Sequence, residues 1–123
     1  MPLKSDHSYG RELVRAQSSP HPGQVITGVI TSNGPNQYHF LVSASTPIKG
    51  VSVCMLAENA GTGASAVRVI QATDPSTQGA RLWTGRPALN LEVDDLRRVR
   101  IFIPTAGDGV DFIAIAQGGE PVP

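Results

Sequence analysis

The chain has 123 residues, enough for one domain with a single hydrophobic core. Its ten basic and ten acidic residues cancel, so no net field favours nucleic acid or a membrane surface, and neither is expected as a partner. Only 16% of the residues are charged, whereas 13 are glycine and 10 are proline. That composition is typical of short strands joined by tight turns and disfavours a helical bundle.

Residues 1–24 are interpreted as a polar arm and linker. A short, weak helical pattern contains the apolar side chains Tyr9, Leu13 and Val14, and the segment 18–23 (SSPHPG) interrupts both helix and strand. The arm lacks the apolar core of a secretory signal, so cytoplasmic synthesis is expected. Arms of this kind become ordered when a neighbouring subunit holds them. Tyr9, Leu13 and Val14 are therefore candidate interface residues.

From residue 25 onward the chain consists of short β-branched and aromatic runs separated by turn clusters. The runs alternate apolar and polar residues with the period of two that a half-buried strand requires. Eight strands are predicted, at residues 24–31, 37–44, 49–57, 64–72, 80–84, 88–93, 99–103 and 110–116. This pattern predicts an all-β domain over residues 25–117, an antiparallel sandwich of jelly-roll or immunoglobulin-like topology, followed by a tail at 118–123.

Residues 93–117 carry the clearest pattern, two alternating runs joined by the turn sequence TAGDG. With five residues in the turn, Ile101 lies opposite Ile113 and Val99 lies opposite Ile115 in an antiparallel hairpin. This register is preferred because it gathers the large aliphatic side chains on the core face. A turn one residue shorter would instead bring inward the alternate residues of the last strand, Phe112, Ala114 and Ala116.

The preferred register predicts an interface on the other face of the hairpin. There Phe102 and Phe112 form a cross-strand pair, bordered by Arg98 and Arg100. Aromatic residues and arginine are enriched at protein interfaces. The alternative is that a loop or the arm of the same chain covers this face, since large exposed apolar patches are uncommon on monomers.

The residue pattern does not favour catalysis. His7 and His21 lie in the arm, His39 faces away from its apolar neighbours on a strand, and no G-x-S-x-G motif is present. Turn capping accounts for the acidic residues, with a calcium site as the alternative. Those residues are Glu92, Asp94, Asp95, Asp108 and Asp111. We therefore expect no enzyme activity, no metal site and no cofactor.

The only tryptophan, Trp83, follows Arg81 on the fifth strand. Three interpretations compete: burial of Trp83 with Leu82 facing out, a cation–π contact with Arg81, or a platform for sugar rings. Together with Tyr38, these residues define the alternative function, a carbohydrate- or other ligand-binding module.

The favoured function is structural and non-enzymatic. The polar arm, the predicted aromatic–arginine face and the missing catalytic motifs together indicate a small sandwich that forms oligomers or decorates a larger particle, such as a virion capsid or tail. Its expected partners are copies of itself or a larger protein assembly. The single cysteine, Cys54, excludes an internal disulfide.

Overall fold

The computed structural model describes residues 21–117, so the arm candidates Tyr9, Leu13 and Val14 lie outside the described residues. Within that range a strand lies in each of the eight predicted segments, but those predicted at 37–44, 64–72 and 80–84 are shorter than expected. The eight strands are β1 (Val25–Thr31), β2 (Gln37–Phe40), β3 (Ile48–Met55), β4 (Arg68–Gln71), β5 (Ala80–Arg81), β6 (Ala88–Leu91), β7 (Val99–Ile103) and β8 (Gly109–Ala116). Short 3-10 turns lie at Gly63–Ser65, Ser76–Gln78 and Leu96–Arg98.

The strands form two antiparallel sheets of four. One has the order β1-β8-β3-β6 and is called the β1 sheet; the other has the order β2-β7-β4-β5 and is called the β2 sheet. The first strand pairs with the last, the second with the seventh, the third with the sixth and the fourth with the fifth. This nested pairing is the strand order of a jelly roll, which confirms the predicted sandwich and distinguishes it from the immunoglobulin-like alternative.

The predicted hairpin of the last two strands is wrong. β7 pairs with β2 and β4, whereas β8 pairs with β1 and β3, so the two strands lie in different sheets. The turn between them crosses from one sheet to the other, and it is held beside β1 by backbone hydrogen bonds. The Ser32 amide donates to the Asp108 carbonyl (3.2 Å), and the Gly107 amide donates to the Ser32 carbonyl (2.8 Å).

The inward faces of β7 and β8 test the register prediction separately. On β7 the predicted residues Val99, Ile101 and Ile103 are buried. On β8 the prediction is wrong: Ile113 and Ile115 are 49% and 40% exposed. The buried residues of β8 are those of the shorter-turn alternative, Phe112, Ala114 and Ala116, together with Val110.

A β-bulge in β3 helps to fill the core between the sheets. The register of β3 against β8 shifts between Ile48 and Val51, and Gly50 in the bulge has a φ of 152°. The extra residue lets Ile48 and Val51 both face inward although three positions separate them. The core is formed by Leu41, Ile48, Val51, Val53, Val67, Val69, Leu82, Leu96, Val99, Ile101, Ile103, Val110, Phe112 and Ala114.

Candidate assembly surface and ligand pocket

Two of the four residues of the predicted arginine–aromatic surface, Arg100 and Phe102, lie on the outer face of the β2 sheet beside Tyr38. The Arg100 guanidinium lies 4.3 Å from the centroid of the Tyr38 ring, and the Tyr38 and Phe102 ring centroids are 4.8 Å apart. Next to this pair, Arg97 lies 3.6 Å from the centroid of the Phe40 ring. Strands β2 and β7 produce the arrangement because their register sets Tyr38 opposite Phe102.

Residues 72–79 cover this surface as a strap, so the alternative of coverage by the chain itself is correct here. The Ser76 amide donates to the Tyr38 hydroxyl (3.1 Å), and the Arg100 guanidinium donates to the Asp74 carbonyl (2.9 Å). Hydrogen bonding from Ser76 lowers the pKa of the Tyr38 phenol against the opposing effect of burial, and the charge of Arg100 acts in the same direction as Ser76. Phe102 is only 9% exposed. The strap therefore buries Phe102, whereas Tyr38 beside it remains 42% exposed.

The other two residues of the predicted interface lie elsewhere. Phe112 is a core residue, 5% exposed, on a strand of the opposite sheet, so it forms no pair with Phe102. Arg98 is exposed on the Leu96–Arg98 turn, where its Nε lies 2.9 Å from the Asp94 carboxylate. The four residues do not form one face, because the strands that carry Phe102 and Phe112 do not form a hairpin.

The β1 sheet carries an exposed aliphatic surface that sequence reasoning did not identify. Val25 and Val29 on β1 are 53% and 64% exposed, and they adjoin the exposed Ile113 and Ile115 of β8. Val25 pairs directly with Ile115, and Thr27 pairs with Ile113. We call these five residues the aliphatic face. The sequence of β1, VITGVIT, could have indicated this face, because it has no charged residue and carries valines on one side and isoleucines on the other.

Strand β1 is also an edge of its sheet. The Ala116 amide donates to the Gln24 carbonyl (2.8 Å), and the Ser32 amide bonds with the turn before β8. In an antiparallel pair, backbone groups point alternately toward and away from the partner strand. The groups of Val25, Thr27 and Val29 therefore point away from β8, and no other strand of residues 21–117 pairs with this edge.

A separate pocket of about 440 Å³ lies beside Trp83 and Arg81. The exposure of two neighbouring residues tests the interpretation that Trp83 is buried and Leu82 faces out. Leu82 is buried at 1% exposure, whereas Trp83 is 49% exposed. Burial of the tryptophan is therefore wrong. Arg81 and Trp83 line the same pocket, but the cation–π contacts among the described residues do not include a contact between these two. Tyr38 does not line this pocket; it lies on β2, where its hydroxyl accepts a hydrogen bond from the strap residue Ser76.

Three of the five acidic residues have structural partners: Asp94 in its ion pair with Arg98, and Asp95 and Asp108 through backbone amides. Asp108 is buried and its carboxylate accepts hydrogen bonds from the amides of Ala60 (2.8 Å) and Gly61 (2.9 Å). Asp95 accepts from the amides of Thr46 (2.7 Å) and Arg97 (2.9 Å), which caps the Leu96–Arg98 turn. Within residues 21–117, no group of three or more His, Cys, Asp or Glu side chains could hold a metal ion.

Comparisons with known proteins do not add a function. No protein-family model matches the sequence, and neither the curated proteins nor the solved structures give a match. In the described part of the chain, none of the helices has the length and apolar character needed to cross a membrane.

Proposed function

We propose that this protein is a non-enzymatic structural subunit that associates with copies of itself through the aliphatic face and the free edge of β1. The observation that carries the proposal is the exposure of four large aliphatic side chains on two adjacent strands. Contiguous exposed apolar surface on a soluble domain is characteristic of interaction sites. The proposal moves the interface from the predicted arginine–aromatic surface to the opposite sheet.

The composition of β8 supports burial of this face in an assembly. Phe112 and Ala114 fill the core side of the strand, while Ile113 and Ile115 occupy its outer side. The outward residues of a solvated antiparallel sheet are commonly polar, so two neighbouring isoleucines on the outer face of β8 favour a covered face. Within residues 21–117 the second sheet covers only the inner side, which leaves the outer side for a partner.

The edge strand favours a second copy as that partner. β1 contains no charge and no proline, and charges, proline and bulges are the devices that usually keep edge strands from pairing. An antiparallel pair of β1 strands centred on Gly28 would set Val25 opposite Thr31 and Thr27 opposite Val29 of the copy. Such a pair brings no like charges together, and it extends the aliphatic face across the two subunits.

The jelly-roll fold is found in subunits of protein shells and in proteins with other functions. Jelly rolls build viral capsids, and they also occur in lectins and cupins. A fold alone does not specify a function. The proposal that this protein is part of a virion or another particle therefore depends on its association with copies of itself and not on its fold.

Sedimentation equilibrium over a wide concentration range tests the proposal. We expect the wild-type protein to associate, and Val29→Lys to weaken the association at least about tenfold, or about 1.4 kcal/mol, because it places a charge in the interface. Thr77→Lys adds the same charge on the exposed Ser76–Gln78 turn and should associate like the wild type. A wild-type protein that stays monomeric up to about 0.5 mM would refute the proposal.

A further inference from the structure

We infer that the pocket beside Trp83 binds an acidic monosaccharide, with the sugar ring against the indole and its carboxylate on Arg81. The pocket is separate from the aliphatic face and shares no residue with it, so the inference does not depend on the proposed assembly. Its volume of about 440 Å³ is within the range of about 300–1,000 Å³ common for small-molecule sites. Its walls include Met55, Thr62, Ala66, Arg81, Trp83 and Thr84.

A tight turn fixes the indole in place. The Trp83 amide donates to the Arg86 carbonyl (3.1 Å), and the Arg86 amide donates to the Trp83 carbonyl (2.8 Å), which closes a turn over Thr84 and Gly85. Part of the ring packs so closely on Gly85 that a Cβ at that position would clash with it. The ring is thus supported on one side by backbone while it lines the pocket. A held, half-exposed aromatic ring is a stacking surface that loses little conformational entropy when a ligand binds.

Among the arginines around β4 and β5, the guanidinium of Arg81 is the one left for a ligand. Arg86 donates twice to the Arg81 carbonyl (3.1 and 2.7 Å). Arg68, opposite Arg81 in the sheet, donates to the carbonyls of Ser76 (3.3 Å) and Ala64 (2.7 Å). Within the described residues, the Arg81 side chain makes no hydrogen bond or ion pair, and no carboxylate lines the pocket. Its planar fork matches a carboxylate in a bidentate pair.

The loop 59–63 forms part of the pocket wall, and hydrogen bonds hold it in place. The Asn59 side chain donates to the Gly109 carbonyl (2.8 Å) and accepts from the Gly109 amide (2.9 Å), and the Asp108 carboxylate binds the loop amides. Gly63, with a φ of 56°, has no heavy atom within 4 Å of where a Cβ would stand. A ligand can therefore approach the loop backbone closely without moving it.

The polar and apolar groups of the pocket wall together suit a sugar acid better than an aromatic acid. Thr62 and Thr84 contribute hydroxyl groups, and the Gly61–Gly63 backbone contributes further polar atoms, all of which suit a ligand with several hydroxyls. The indole, Met55 and Ala66 line the pocket with apolar surface that suits one face of a sugar ring. The positive charge of Arg81 then favours a negative ligand.

Titration with D-glucuronate, followed by the fluorescence of the only tryptophan, tests the inference. We expect saturable binding with a Kd of about 0.1–1 mM, typical of one small polar ligand in an open site. D-glucose should bind at least about tenfold weaker because it lacks the charge–charge contact, a difference of about 1.4 kcal/mol. Arg81→Gln should remove this preference for the acid, whereas Arg98→Gln, which deletes the same charge at a distant exposed turn, should keep it.

Further measurements separate the remaining outcomes. Amide chemical-shift changes on glucuronate addition should concentrate at residues 61–63 and 84, in the Val29→Lys variant as well as in the wild type. Equal affinity for glucose and glucuronate would overturn the role of Arg81. Tighter binding of benzoate than of glucuronate would replace the sugar acid by an aromatic acid and overturn the assigned class. Absence of saturation by any of the three compounds would overturn the site itself.

Discussion

Replacing Asp108 by alanine should destabilise the domain by about 2–4 kcal/mol, a large loss for a side chain on a turn. Asp108 is 2% exposed, and its carboxylate accepts two backbone hydrogen bonds from the loop 59–63. It stands where the chain crosses from β7 to β8, so the same residue connects the loop to the sheet crossing. We expect Asp108→Ala to release the loop while the two sheets remain paired.

The magnitude follows from the two amides that lose their acceptor. A hydrogen bond to a charged group contributes about 1.5–3 kcal/mol net, and a buried donor left without a partner costs about 1–3 kcal/mol. The Gly61 amide belongs to a half-buried residue, whereas Ala60 is exposed and its amide can bond to water instead. One full loss and one partial loss give the expected range.

Urea unfolding of Asp108→Ala, with the wild type and Glu92→Ala beside it, measures this loss. Glu92 is an exposed carboxylate, so its removal should change stability by no more than about 0.5 kcal/mol. Amide hydrogen exchange should show that the protection of residues 60 and 61 is lost while β3 and β8 stay protected. A change below about 0.5 kcal/mol, with residues 60 and 61 still protected, would refute the assigned role of the carboxylate.

Three further predictions follow from the other contacts. Burial raises the pKa of Asp95, but hydrogen bonds from Ser45, Arg97 and Thr46 outweigh it and lower the pKa below its ordinary 3.8. Ionised Asp95 therefore stabilises the fold above about pH 4, and this contribution is lost as the pH falls through the lowered pKa. Acid titrations of stability should show this loss in the wild type and a smaller one in Asp95→Asn. In the Val29→Lys background, where the chain should be dissociated, Phe112→Ala should cost about 3–5 kcal/mol in thermal or urea unfolding and Ile113→Ala less than about 1 kcal/mol. The reverse order would show that Ile113, and not Phe112, faces the core. Cys54, half-buried on the outer side of β3, should react more slowly with a maleimide in the wild-type assembly than in Val29→Lys. Equal rates would place the interface elsewhere.

The sequence predicted the strands well because each strand is a local pattern. Alternation and turn residues identified all eight, and the buried face of β7 was correct for the same reason. Pairing is not local: β1 lies beside β8, about eighty residues away in the chain. Nothing in the turn sequence TAGDG distinguishes a hairpin from a crossing between two sheets. The predicted Phe102–Phe112 pair depended on that distinction, and it was wrong.

Some of the site residues were predicted correctly and others were not, again because local patterns can be read from the sequence and long-range contacts cannot. Arg81 and Trp83 lie close in the sequence, so their convergence at one pocket was accessible to local reasoning. The strap over Phe102 was not, because its effect depends on residues 72–79 folding back onto β2 and β7. Nor did the bulge at Gly50 show in the pattern, although it determines that Ile48 faces the core.

The error on β8 itself bears on the proposed function. The preferred register followed from a volume rule: the larger side chains of a strand face the core. β8 breaks that rule, because two isoleucines face out while Ala114 and Ala116, at 2% and 0% exposure, face in. The rule assumes that only one side of a strand is buried. If a second copy covers the outer side, Ile113 and Ile115 become buried too, and the strand no longer conflicts with the rule. The residues that defeated the register prediction are thus the ones that the proposed assembly explains.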